Sequence, residues 1–204
     1  MDLFDESGQL ADELLAVVDL PLANDSSRVR VSNTACSLSL EHWHAGRAIF
    51  REGLLPSGMV VQRAQLEAVV RSIWLAFAAS DNCVEKLCDG LTVDSEQAAK
   101  NMPQLGEMLD ALSTKGPPQA HQALARIKAA SWKAFNSYAH AGIHPLRRHA
   151  DGYPIQLLHD VLRNSNGLGF LSCMHAAALS GIQPLQRRLL EIAQQRPGCM
   201  PPLL

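Results

Sequence analysis

The sequence predicts an all-α protein, a helical bundle of about six to eight helices with a short helical insertion, and three observations carry this reading. Apolar residues recur at helical spacing in almost every segment of the 204-residue chain. Alanine is abundant and β-branched residues are sparse. No stretch alternates apolar and polar residues for long: Arg28-Val29-Arg30-Val31 does so, and it runs straight into a helical pattern.

The first helix is expected over 7–20, with Ser7 as N-cap and Pro21 marking its end. The second begins near Asp25-Ser26-Ser27 and runs to Arg51, along an apolar seam of Val31, Ala35, Leu38, His42, Ala45 and Ile49. His42 sits on that seam as a core histidine, and Trp43 and Arg47 are spaced for a cation–π contact. Gly53, Pro56 and Gly58 break the pattern before a third helix over 59–79. Residues 81–118 read as short helices and loops, a lid-like insertion. Within it Asp94 and Gln97 are spaced as a capping box, and a helix covers 104–112. A long helix over 118–141 turns Leu124, Ile127, Ala134 and Tyr138 inward. Pro154 opens a helical region to Ser180, which Asn166-Gly167 is placed to break or kink. Gly181 closes it, Pro184 starts the last helix, and 197–204 reads as a frayed, flexible tail. The whole is one domain over 1–204, with its core bundle over 26–180.

Composition narrows the function. A net charge of −2 excludes a generally polycationic binder, so nucleic acid would have to meet a local patch. No apolar run reaches the roughly 20 residues of a membrane span, and the acidic start lacks a signal-peptide layout. The expectation is a cytoplasmic protein without membrane contact. Five cysteines without a CxxC pair read as buried thiols in a reducing compartment. The apolar stretch 168–179, with that around Trp74, exceeds what one small bundle readily covers, which predicts a homodimer.

Two polar constellations stand out. On the third helix Arg63, Glu67 and Arg71 share one stripe with Trp74, while almost everything else is apolar. If buried, the ladder must be paired, and breaking it would cost roughly 3–5 kcal/mol. If it faces solvent, it holds two weak i,i+4 pairs. The second constellation is the run from Asn136 to His149. Asn136 and His140 lie one turn apart on the same face, and Asn136 can orient the imidazole. Gly142 permits a helix end, and Pro145 is expected to turn the chain at His144, presenting His144, Arg147 and Arg148 near that end. Imidazole moves protons near neutral pH and guanidinium holds phosphate. Together they are minimal equipment for metal-free cleavage of RNA through its 2′-hydroxyl. His140 and His144 are four apart, yet no acid lies between them and Gly142 and Pro145 interrupt the helix, so no metal site and no cofactor is expected.

A helix carrying Arg63-xxx-Glu67-xxx-Arg71, followed far downstream by one ending Asn136-Ser137-Tyr138-Ala139-His140, resembles the HEPN-like superfamily. Its nearest likeness is to small bacterial members of abortive-infection and toxin–antitoxin systems. The resemblance spans about 26–180. It implies a helical bundle, a homodimer with its polar residues at the subunit interface, a cognate antitoxin partner and, in active members, a metal-independent ribonuclease. Active members carry an arginine a few residues before the histidine. Here Asn136 stands four before His140 and Arg126 fourteen before it, so Arg71 or Arg147 would supply the guanidinium. The catalytic candidates are therefore His140, Arg147 and Arg71, and the binding candidates Asn136, His144, Arg148, Glu67 and Arg63. A non-catalytic module binding a protein or nucleotide, and a purely structural helical protein, stand beside this reading.

Overall fold

Residues 2–202 are described by the computed structural model, the side chains of residues 98 and 99 apart. They form ten α-helices and one 3-10 turn, so the all-α class holds and the expected six to eight helices is too few. In order the helices are α1 (Leu3–Val18), α2 (Ser27–Arg51), α3 (Leu55–Phe77), α4 (Asp81–Cys88), α5 (Val93–Ala99), α6 (Leu105–Lys115), α7 (Pro118–Ala139), α8 (Ile143–Asp151), α9 (Ile155–Ser180) and α10 (Leu185–Gln195). The turn Pro197–Cys199 follows. The extra elements are short: α4, and α8, where Pro145 occupies the first turn and its missing N–H costs nothing.

α2, α3 and α9 form the centre, and their shared seam is polar. The face of α2 that is buried is Ser32, Cys36, Ser39, Trp43, Gly46 and Phe50. This is one residue, about 100° of rotation, away from the expected apolar seam. Leu38 of that expected seam is 46% exposed. Small side chains let the helices approach closely, and their hydroxyls are satisfied across the interface. Ser32 Oγ donates to the Ser72 carbonyl at 2.8 Å, and Ser72 Oγ returns the bond to the Ser32 carbonyl at 2.7 Å. Ser39 Oγ donates to the Gln65 carbonyl and meets Ser172 Oγ at 2.9 Å. Gln65 Nε2 donates to the Ser165 carbonyl while Ser165 Oγ donates to Gln65 Oε1. Such a network is favourable because each member has a partner.

Apolar packing lies on either side. One cluster joins α3 to α6, α7 and the start of α9, with Leu66, Ile73, Trp74, Met108, Leu112, Leu124 and Phe135 buried. The other joins α1, α10 and the end of α9 around Trp43. Trp43 lies flat on Gly169, where a Cβ would sit 2.2 Å from the ring. The guanidinium of Arg47 stands 5.0 Å above that ring, the cation–π contact expected from their spacing. His42, expected in the core, is only half-buried.

Asn166 does not kink α9. It is fully buried inside a continuous helix and joins four parts of the chain. Its Oδ1 accepts from Ser7 Oγ at 2.8 Å and from Trp43 Nε1 at 3.0 Å, and its Nδ2 donates to the Cys199 carbonyl at 2.9 Å. Ser7 is thus a buried partner in mid-helix and not a cap; Asp2 caps α1 by accepting from the Asp5 N–H. The expected frayed tail is likewise corrected over its described part. Cys199 is fully buried, and Arg196 forms a bidentate pair with Glu13 of α1. Residues 203–204 of that tail lie outside the described residues.

The expected lid over 81–118 divides in two. α6 is core, with Leu105, Met108, Leu109 and Leu112 buried against α3 and α7. α4 and α5 stand at the margin, and the α5 capping box is made by Thr92 with Ser95, not by Asp94 with Gln97. Arg28, from the segment that alternates in the sequence, reaches across from α2. It donates to the Leu75 carbonyl at 2.6 Å and the Ala79 carbonyl at 3.0 Å, closing the α3 C-terminus with a cation. Cys36, Cys173 and Cys199 are buried thiols as expected, whereas Cys88 is exposed. Of the stretch 168–179, Leu168 and Leu179 are buried within the chain, as is Trp74, while Phe170, Leu171 and Met174 are only half-buried.

This centre can be tested at two residues. Replacing Asn166 by Ala strands a hydroxyl, an indole N–H and a carbonyl in the interior, so urea unfolding is expected to show a loss of about 3 kcal/mol or more. The second residue is His175. Ser32 has already given its one proton to Ser72, so His175 Nε2–H donates to Ser32 Oγ at 2.9 Å and the ring is neutral. Burial pushes this imidazole down from 6.5 to about 4. Between those values the unfolded chain binds a proton that the folded chain refuses, so stability falls as pH drops from 6.5 to 4, by roughly 3 kcal/mol. His175→Gln keeps a donor toward Ser32 and removes the titration, so thermal melts should show the pH dependence of the parent exceeding that of the variant by this amount.

Candidate functional site

The stripe on α3 faces α7. Arg63 Nε donates to Glu67 Oε1 at 3.0 Å, and the Arg63 guanidinium stands 5.0 Å over the ring of Trp132. Their side chains are 24% and 42% exposed, so the pair is present but only partly withdrawn from water. Arg71 is half-buried two turns beyond Arg63, and Trp74 is buried in the core. Trp132 was not among the expected site residues. Its position on the 118–141 helix was legible, but nothing in the local spacing connects it to Arg63.

The second constellation builds a corner. α7 ends at His140, whose N–H donates to the Asn136 carbonyl at 3.1 Å, a backbone bond. Ala141 takes φ +50, a left-handed conformation uncommon outside glycine, and so directs the chain away. Ser137 stitches the corner: its carbonyl accepts from the Gly142 N–H at 2.7 Å and its hydroxyl from the His144 N–H at 3.1 Å. The chain therefore breaks at 140–142 and not at His144, which with Pro145 lies in the first turn of α8.

α8 has no buried residue. His140, His144, Arg147, Arg148 and His149 are all exposed along this corner. Arg147 pairs loosely with Asp151 at 3.4 Å, and the His144 ring lies 6.3 Å from that of Tyr138. Tyr138 and Tyr153 lie beneath, burial pushing both phenols upward while Arg148 opposes the shift. The Tyr153 hydroxyl is buried without a hydrogen-bond partner. Asn136 is half-buried at the edge of the same corner.

Arg71 and His140 are not brought together. Gln62 bonds to the Val161 carbonyl and Tyr138 lies beside Tyr153, so the end of α7 sits at the start of α3. Arg63 meets Trp132, and from that contact Arg71 and His140 each lie eight residues away in opposite directions. That is roughly 12 Å along each axis. Among the expected groups, His140, His144, Arg147 and Arg148 share the α7–α8 corner, while Arg63, Glu67 and Arg71 form a separate stripe. The corner can hold phosphates by charge and by forked hydrogen bonds. Among the described residues no three His, Cys, Asp or Glu side chains are grouped to hold a metal ion, and no helix is long and apolar enough to cross a membrane.

The fold and the corner define an all-helical protein with an exposed basic helix set on a buried polar core. The chain belongs to a family of unknown function, DUF6988, whose model matches residues 36–202. No curated protein and no solved structure matches it.

The stripe carries its own prediction. With Glu67 nearly half exposed, Glu67→Gln should cost under about 1 kcal/mol. Arg63→Ala also loses packing on Trp132 and should cost about 1–2 kcal/mol. Thermal melts that reverse this order would return the stripe to a buried ladder.

Proposed function

We propose that this chain is a helical binding module that engages the phosphates of RNA or of a nucleotide through the α7–α8 corner. One observation carries the proposal: three histidines and two arginines lie exposed within ten residues, from His140 at the end of α7 along α8, a helix with no buried side chain, in a chain of net charge −2. Phosphate contacts of this kind supply most non-specific nucleic-acid affinity. The HEPN-like resemblance points to the same ligand class and to a bacterial defence or stress role. A homodimer and an antitoxin partner rest on that resemblance.

A second reading, metal-independent RNA cleavage, is favoured by the shared placement of His140 and Arg147 on one exposed corner. There His140 would take the proton of the 2′-hydroxyl as that oxygen bonds to phosphorus and the bond to the 5′-oxygen breaks, leaving a 2′,3′-cyclic phosphate while water protonates the departing 5′-oxygen. Arg147, released from Asp151, would hold the phosphate. Arg71 takes no part, because it diverges from His140 along α3.

Fluorescence anisotropy with a labelled single-stranded RNA and with ATP tests the binding reading. The double variant Arg147→Ala, Arg148→Ala should weaken RNA binding at least about tenfold. It should also flatten the slope of log K against log salt by roughly 1.4, about 0.7 for each phosphate that no longer meets a guanidinium. Absence of binding to both ligands by the parent at low salt would overturn it. In the same tubes, RNA cleavage that persists in excess chelator and disappears in His140→Ala would establish the second reading.

A further inference from the structure

On the basis that the α7–α8 corner holds phosphates, we infer that its ligand is an extended RNA strand and not a single nucleotide. The strand runs along the outer face of α7 as well as α8, and Lys133 anchors it beyond the corner. From Lys115 to Ala150 the chain carries six lysines and arginines, four histidines and no acid. All 20 acids and the other twelve lysines and arginines lie outside that run. A chain of net charge −2 is thus divided, and its positive part is α7 and α8.

The charges are laid out as a track. Lys133 and His140 are both exposed, and seven residues of helix bring them to within about 20° of one another. Just ahead of Lys133 the same face holds Ala129 and Ala130, exposed and small, so a strand can lie close to the helix. α7 rises roughly 10 Å from Lys133 to His140, and α8 adds roughly 13 Å. His144, Arg147, Arg148 and His149 are exposed along α8. The phosphates of one nucleotide cover only part of that length, whereas a strand repeats them along it. Among the described residues Lys133 and Arg148 are in no ion pair. Arg126 already has a partner within the protein and adds charge only.

Two exposed apolar side chains favour RNA over other polyanions. Ile143 and Leu146, beside Arg147 on α8, are 70% and 63% exposed. A bare polyphosphate has no use for them, whereas each nucleotide of a strand brings the face of a base with its phosphate. An anionic membrane would take large apolar side chains along the whole track. Among its described residues α7 exposes none.

Fluorescence anisotropy with labelled uridine 12-mers, 4-mers and ATP tests the track. At about 0.1 M salt, charges more than about 10 Å apart are largely screened. The 12-mer should bind at least about tenfold more tightly than the 4-mer or ATP. Lys133→Glu, a change at an exposed position, should weaken the 12-mer at least about tenfold, with ATP binding and the thermal melt unchanged. Arg188→Glu makes the same change in net charge on α10 and should leave all binding unchanged. Lys133→Ala should flatten the slope of log K against log salt by roughly 0.7 for the 12-mer alone. Equal affinity for the 12-mer and ATP would overturn the track and leave the corner as a nucleotide site. So would a folded Lys133→Glu that binds the 12-mer as the parent does, or an equal loss in Arg188→Glu. Inorganic polyphosphate or phosphatidylserine vesicles that displace the strand as well as unlabelled 12-mer does, at equal phosphate concentration, would overturn its assignment to RNA. No binding of any of these ligands would overturn the track and the phosphate reading together.

Discussion

Close approach of α2, α3 and α9 is possible only because hydroxyl groups, not methyl groups, line the seam between them. Each buried serine must find a partner or cost free energy comparable to a lost hydrogen bond, and here the partners are backbone carbonyls and amides on the facing helix. The reciprocal pairs Ser32–Ser72 and Gln65–Ser165 fix the rotation of each helix about its axis, since a turn of one residue would break both members at once. With those rotations set, Trp43 falls on Gly169 and Asn166 points at Ser7, which seats α1 and the C-terminal segment. Apolar burial supplies the driving force, and the seam decides which apolar faces meet.

The α7–α8 corner stands at the opposite extreme. α8 is attached to α7 through Ser137 and has no share in either apolar cluster. Free energies of local opening are lowest where few buried contacts hold the backbone, so α8 belongs among the mobile parts of this fold on the timescale of hydrogen exchange. A surface helix of this kind can adjust to an extended polyanion without disturbing the core. The stripe on α3 has a structural share instead, with Arg63 laid over Trp132 at the α3–α7 contact.

How much of this was legible in the sequence depends on which physical signal each element uses. Long helices were: the expected spans of α2 and α9 match, because caps such as Ser26 and Gly181 and the apolar period agree with the tertiary structure. The buried face of α2 was not legible, because hydropathy ranks Val31, Leu38 and Ile49 above Ser32, Ser39 and Gly46, while close packing of three helices ranks them the other way. Asn166 read as a breaker for the same reason: a local propensity was overruled by three long-range hydrogen bonds. At the corner, the cluster from His140 to His149 was visible as composition. Its exposure was not, nor was the divergence of Arg71, since both depend on the direction in which α7 runs past α3.

The bonds around Asn166 also have a temporal consequence. Ser7 and Asn166 are 159 positions apart, and Glu13 and Arg196 are 183 apart, so the clasp between α1 and the final turn is among the most non-local pairings in the chain. Contacts of such separation form late, after the loop they close has already collapsed. While the chain is being synthesised, Leu10 and Leu14 of α1 have Trp43 within early reach but wait for Cys173, Ala177 and Leu189, which leave the ribosome long after them. α1 therefore keeps part of its apolar face open until α9 and α10 have been made.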